Sequence, residues 1–339
     1  MRKFSVLVCA CTALMSGVCS CSDEKEDNPV DNRVALIFPS GNTVARWKDD
    51  ANYLEDALKS YGYETKLYTA EEDEEGAIQQ VGQIEEAIKT GYRTFVITPI
   101  DYNKINQSGL LQANQDCNFI CYDRMIMDNE AVDFYATCDP VKIGAVQAQF
   151  LLNHLHSTGN KKLSIEYFAG PATDRNAVLY YESAYNLLYA AKDIKSLSGK
   201  MTYKEVALPA WTAEAAKAEM IARYNDSIPD LILAPNDNVA EGIISALEEK
   251  GCSRYPIITG QDLTEAAKKN IMNGKQTMTI FKENEVLART AAMVVNSYIL
   301  GSPIRTGKTF NNGKKNVPAV YSDITLITID NVSYYLQDL

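Results

Sequence analysis

From Val34 onward the chain alternates short apolar runs with amphipathic segments of helical period, and it does so twice over. Val34 to Phe38 is continuously apolar, and Trp47, Ala51, Leu54 and Leu58 then recur at helical spacing, which makes a βα unit. Tyr63 to Tyr68 reads as the next strand. The acidic run Glu71 to Glu75 precedes a helix with Ile78, Val81, Ile84 and Ile88 on one face, closed by Gly91. Acidic residues suit a helix N-terminus, so the run reads as a solvated cap. Strands at Thr94 to Ile100 and Asn118 to Tyr122 flank a helix near Asn103 to Gln115. Such alternation predicts a parallel, doubly wound sheet with right-handed crossovers.

Asp133 to Thr137 reads as a bridging strand, after which the same grammar restarts. Helices over Val141 to His156, Asn176 to Ala191, Thr212 to Tyr224 and Asn238 to Glu249 separate strands at Lys162 to Ala169, Tyr203 to Leu208, Asp230 to Ala234 and Pro256 to Gly260. The expectation is an α/β protein of two lobes, each with its own parallel sheet. Gln276 to Lys282, a helix over Glu283 to Leu300, and the runs Pro318 to Tyr321 and Ile324 to Ile329 lack an independent core. They read as elements that complete the two sheets by crossing back between them.

At 339 residues with 46% hydrophobic composition the chain has enough material for two such cores. Its net charge of -11 and pI of about 4.9 disfavour DNA, RNA or an anionic membrane surface as partners. The first residues carry an export pattern: basic Arg2 and Lys3, an apolar stretch from Phe4 to Val18, then small residues and cysteines. Val18-Cys19-Ser20-Cys21 resembles a bacterial lipobox, although Cys at the second position departs from its usual pattern. The expected anchor is Cys21 rather than Cys19, with 1–20 as signal peptide and 21–32 as a polar, mostly acidic tether. Four of the eight cysteines lie in this leader. Of the rest, Cys117 and Cys121 flank an apolar strand, where roughly 3.3 Å per residue sets them about 13 Å apart, beyond disulfide reach. They read as buried thiols, and their spacing fits neither a zinc knuckle nor a redox pair.

Polar clusters stand just past the ends of six apolar runs: Ala45-Arg46-Trp47, Tyr122-Asp123-Arg124, Asp174-Arg175-Asn176, Pro235-Asn236-Asp237, Gly260-Gln261-Asp262 and Phe281-Lys282. In an open α/β sheet the crevice beyond the carboxyl ends of the strands binds small ligands, so these clusters predict one polar pocket. Asp174, Asp237 and Asp262 stand at helix starts, where Asp commonly caps. Arg46, Arg124 and Lys282, however, would set positive charge near helix N-termini, which is unfavourable. A ligand or paired carboxylates must offset them.

Signatures of activated chemistry are missing. No GxGxxG follows the first strand, where only Gly41 appears. The segment Gly301 to Thr309 has the wrong spacing for a phosphate loop and follows a helix. His154 and His156, the two histidines, are two residues apart on an expected helix and face different ways. No metal, cofactor or enzymatic activity is expected.

The stretches ARWKDD, VGQIEEAIKTG, YDRMI, DFYAT, GPATDRNA, APNDNVAEGIISAL, ITGQD and QTMTIFK resemble the type I periplasmic sugar-binding proteins of ABC importers, especially the xylose-binding and multiple-monosaccharide-binding members. The resemblance spans Val34 to about Leu300. It implies two Rossmann-like lobes, 33–138 with 263–310 and 139–262 with 311–339. Three crossings are placed near Ala136 to Pro140, Asp262 to Thr264 and Thr309 to Pro318. It also implies roles. Arg46 and Arg124 resemble guanidinium clamps, with Asp123 as the carboxylate beside the second; a fork of donors and an acceptor together read adjacent hydroxyls. Asp174, Asn176, Asn236 and Asp262 match polar contacts from the other lobe, and Lys282 a donor on the hinge side. Trp47 and Trp211 resemble the aromatic faces that sandwich a pyranose, though Trp47 could also be a core anchor of its helix and Trp211 an N-terminal staple. Asp50, Asp101 and Asp237 are second-tier candidates, equally able to cap or support. Arg175 departs from the family, where Asn is common, and the segment before Trp211 is shorter than in some members; both bear on which sugar is bound. The implied protein is a monomeric, lipid-anchored cell-envelope receptor that captures a pentose or hexose and delivers it to an ABC permease. The alternative output is a membrane sensor that reads the closed form. A sugar-sensing repressor would carry a DNA-binding headpiece where this chain carries its export leader.

Overall fold

Strand β1 (Arg33–Pro39) shows how the sheets are built. Val34, Leu36 and Phe38 enter one core and Ala35 and Ile37 another, the period of two that a strand imposes. A strand buried on both faces needs helices above and below it, the usual setting of a parallel sheet. The computed structural model describes residues 32–157, 163–191, 201–223, 228–304 and 306–336. The expected signal peptide, the Cys21 anchor and the tether up to residue 31 lie outside the described residues.

After β1 come α1 (Arg46–Ser60), β2 (Glu64–Ala70), α2 (Glu74–Lys89), β3 (Thr94–Ile97), α3 (Tyr102–Ser108), α4 (Leu110–Ala113), β4 (Asn118–Tyr122) and β5 (Val132–Cys138). Neighbouring strands pair in parallel in the order β2-β1-β3-β4-β5. The second series is α5 (Pro140–Ser157), β6 (Leu163–Ala169), α6 (Arg175–Ala191), β7 (Met201–Ala207), α7 (Ala213–Arg223), β8 (Leu231–Leu233), α8 (Asp237–Glu249) and β9 (Ile257–Ile258). Its parallel order, β7-β6-β8-β9, repeats that of the first sheet. Both sheets therefore reverse strand order beside their first strand, which opens a crevice at the carboxyl ends.

The late elements divide differently from the expectation. They are α9 (Glu265–Met272), β10 (Met278–Lys282), α10 (Asn284–Ile299), β11 (Lys308–Asn311), β12 (Asn316–Ser322), β13 (Ile324–Thr328) and a 3-10 turn at Val332–Tyr335. β12 pairs in parallel with β5 and in antiparallel with β11, so 308–322 extend the first sheet rather than the second. Helix α10 packs on α1, with the Tyr63 hydroxyl donating to Asn296 Oδ1 at 2.7 Å. β10 stays with the second lobe: Thr277 N donates to Ile258 O at 3.0 Å and Asp262 N to Ile280 O at 2.8 Å. β13 pairs with it in antiparallel. The chain passes between lobes at Asp139, Glu283 and Asp323, where the second and third passages had been placed at Asp262 to Thr264 and Thr309 to Pro318. Which sheet a late strand joins depends on partners some 180 residues away, and local pattern carries no record of them.

Two local readings also change. Gly109, at φ 67°, breaks the helix expected over Asn103 to Gln115 into α3 and α4. On α2, Ile78 is exposed and Gln80 buried in its stead, donating to Thr98 O at 3.0 Å and accepting from Ile100 N at 2.9 Å. Cys117, Cys121 and Cys138 are buried free thiols, and burial pushes that of Cys121 up to about 12. Among the described residues no helix is long and apolar enough to cross a membrane.

Candidate functional site

Helix α1 opens without a side-chain cap, because Ala45 has no polar side-chain atom to offer, and its first two residues are Arg46 and Trp47. A cation in that turn opposes the helix dipole, and carboxylates offset it. The Arg46 guanidinium meets Asp50 at 2.6 Å one turn along, Asp123 at 3.2 Å, and Asp262 of the other lobe at 3.6 Å. Burial works against the Arg46 charge, yet Asp123, Asp50 and Asp262 together outweigh it, so its pKa lies above the usual range. Burial alone would raise the Asp123 carboxyl, and Arg46, Lys282 and Arg124 reverse that shift and hold it below the usual range.

Asp123 and Arg124 follow β4, where Asp123 takes φ 58°. That left-handed backbone is uncommon outside glycine and tolerated by Asp. Its carbonyl accepts from Tyr135 OH at 2.8 Å, Thr137 Oγ1 at 2.9 Å and Asn176 Nδ2 of the other lobe at 2.9 Å. Arg124 pairs with Glu72 at 2.7 Å and, across the cleft, with Asp174 at 2.9 Å. Its guanidinium and that of Arg46 lie 4.9 Å and 4.4 Å from the Trp47 ring, one cation–π stack against each.

The second lobe supplies the opposing wall. Asp174 accepts from Asn176 N at 2.9 Å at the start of α6 and from Trp211 Nε1 at 3.0 Å. The Trp211 ring lies against Gly170, where an added Cβ would sit 2.2 Å from it. Asn236 caps α8 through Val239 N at 3.0 Å. Asp262, at φ 97°, pairs with Lys282 at 2.7 Å. Burial and Arg46 depress the Lys282 charge, but Asp262 and Asp123 hold its pKa above the usual lysine range.

Arg46, Trp47, Asp123, Arg124, Asp174, Asn176, Trp211, Asn236, Asp262 and Lys282 all line one cavity between the lobes. The second-tier residues do not. Asp50 stands behind Arg46, fully buried, and burial, partly relieved by Arg46, pushes its carboxyl up to about 6. Asp237 is held behind the cavity by Thr264 N, Gln276 and Thr279, and burial with the neighbouring Asp262 raises it to about 7. Asp101 caps α3 and is not brought to the cavity. Val44, Tyr180 and Gln261 complete the lining. Gln261 was visible in the Gly260-Gln261-Asp262 cluster, whereas Tyr180 is one tyrosine among many on its helix. Glu72, which binds both Arg124 and Trp47, had been read as part of a solvated cap; in that run only Asp73 caps α2. Among the described residues no cluster of His, Cys, Asp and Glu could hold a metal ion.

The cavity thus gathers charged pairs and two indole rings from both lobes. Residues 34–303 match the family model described as periplasmic binding protein domain. The chain belongs to the periplasmic binding protein family. This periplasmic binding protein is thus a solute receptor and not an enzyme. It is 33% identical to the multiple sugar-binding periplasmic receptor ChvE of Rhizobium radiobacter over 89% of this chain and 87% of the relative. It is 33% identical to the D-xylose-binding periplasmic protein of Escherichia coli over 81% of each. A solute-binding protein of an ABC transporter from Clostridium phytofermentans, solved with bound β-D-glucose, superposes with a TM-score of 0.82 at 30% identity, covering 90% of this chain and 97% of that one.

Proposed function

We propose that this receptor binds a neutral monosaccharide, pentose or hexose, in the interlobe cavity. The observation that carries the reading is the lining itself. Three cations, three carboxylates and two tryptophans from both lobes line one space, so donors and acceptors can meet the hydroxyls of a sugar and the indoles its C–H faces. Gln261 Oε1 is buried there without a hydrogen-bond partner, an acceptor suited to a sugar hydroxyl. Micromolar affinity, about -8 kcal/mol, needs only a few charge-assisted bonds of about 1.5–3 kcal/mol each, less the ordering cost. The sugar names of the relatives and the glucose of the solved neighbour support the same guest.

The closed form would present both lobes to an ABC permease, and the export leader with Cys21 supports a lipid-anchored protein at the envelope. Calorimetry against a panel of aldoses tests the binding. Arg124→Ala is expected to abolish heat of binding for the sugar that wild type accepts while the far-UV spectrum is kept; undiminished affinity in that variant overturns the assignment.

A further inference from the structure

Glu72 does not line the cavity, yet both of its carboxylate oxygens are committed to side chains that do. Oε1 pairs with Arg124 Nη2 at 2.7 Å, and Oε2 accepts from Trp47 Nε1 at 3.1 Å. Its side chain is only 7% exposed. Arg124 is thereby held on every edge: Glu72 on one nitrogen, Asp174 on Nε, and the Pro99 carbonyl at 3.5 Å from Nη1. Arg46 and Lys282 are likewise taken by Asp50, Asp123 and Asp262. The three cations of the cavity wall therefore face five carboxylates, with Glu72 and Asp50 directly behind the lining as the surplus.

We propose that Glu72 is a positioning residue that makes the site select neutral sugars and reject sugar acids. The inference rests on the sugar-receptor reading and adds its charge rule. A uronate carboxylate entering the cavity would meet no uncommitted cation. It would also face a net negative wall in a buried setting, where like charges repel strongly. The outer cleft repeats the bias, since Glu72, Asp73, Glu74 and Asp101 line it against Lys104 and Arg124. Rejection of the wrong ligand by like charge is as effective a route to specificity as a better fit to the right one. Replacing Glu72 by Gln keeps an acceptor for Arg124 Nη2 but takes one negative charge from behind it, so an entering carboxylate meets less repulsion.

The test is calorimetry of wild type, Glu72→Gln and Glu72→Asp with D-glucose, D-galactose and D-xylose against D-glucuronate and D-galacturonate, at one pH near neutrality and fixed salt. The readout is the ratio of aldose to uronate affinity within each protein, which a partly unfolded fraction leaves unchanged. Wild type is expected to prefer the aldose by about 100-fold or more, from the two surplus charges. Glu72→Gln should narrow that ratio by roughly tenfold, and Glu72→Asp, which keeps the charge, should retain it. Wild type that binds aldose and uronate alike overturns this inference and leaves the receptor reading standing. An unchanged ratio in Glu72→Gln overturns it as well. Wild type that binds none of the aldoses overturns the receptor reading itself and this inference with it.

Discussion

Asp237 illustrates how single residues store the strain of a buried polar site. It accepts from Thr264 N at 2.9 Å, Gln276 Nε2 at 2.8 Å and Thr279 Oγ1 at 2.8 Å, yet burial and Asp262 still raise it to about 7. The native protein keeps a proton there that the unfolded chain releases near pH 4. Stability therefore falls as pH rises from about 4 through about 7, by up to about 4 kcal/mol from this group. Urea midpoints across that window should decline more steeply in wild type than in Asp237→Asn; equal slopes would exclude Asp237 as the source. The charged residues of the site were legible in the sequence because cations at helix starts demand partners. Glu72 was not, because a carboxylate in an acidic run looks like any solvated cap until the fold turns it toward Arg124. The left-handed backbone at Asp123 and Asp262 was equally silent: Asp tolerates that conformation, so its presence is not a signal.

Elements were read well where period and length agreed. The strands and helices of both βα series, with their apolar faces, follow from patterns of two and of 3.6. The reading failed where one residue overrides the pattern, as Gly109 does between α3 and α4, or where a polar side chain takes an apolar position, as Gln80 does on α2. At this scale the join between β6 and the indole of Trp211 makes a prediction. The end of β6 runs into Gly170, whose lack of Cβ lets the ring lie flat against backbone. Gly170→Ala should push the ring out of the wall and weaken sugar affinity by roughly two- to tenfold, the worth of one aromatic face. Calorimetry reads the loss and an unchanged far-UV spectrum shows that the lobe survives; full affinity in this variant would mean that Trp211 is not a wall of the ligand space.

Across the whole molecule, the lobes are bound by contacts of two kinds. Some belong to the cavity, such as Arg124 with Asp174 and Asn176 with the Asp123 carbonyl. Asn238 is different: its Nδ2 donates to Thr43 O of the other lobe at 2.9 Å, and it does not line the cavity. Closure and binding are linked, since a ligand that touches both lobes favours the closed state. Asn238→Ala should weaken affinity by roughly three- to tenfold, the net worth of one hydrogen bond, by lowering the closed population. Small-angle scattering should show a larger radius of gyration for the ligand-free variant than for ligand-free wild type; an unaltered radius and affinity would exclude a role in closure.

The strand pairing of the first sheet also has a consequence for biosynthesis. The N-terminal lobe begins the chain but acquires β12, the neighbour of β5, only from residues 316–322. During vectorial synthesis the second lobe thus has all four strands of its main sheet while its elder twin still shows a bare edge, a template for pairing with stray chains. A nascent polypeptide halted at Lys282 would be trapped in that condition, so the stretch that carries β12 decides whether the first half of the protein ever seals.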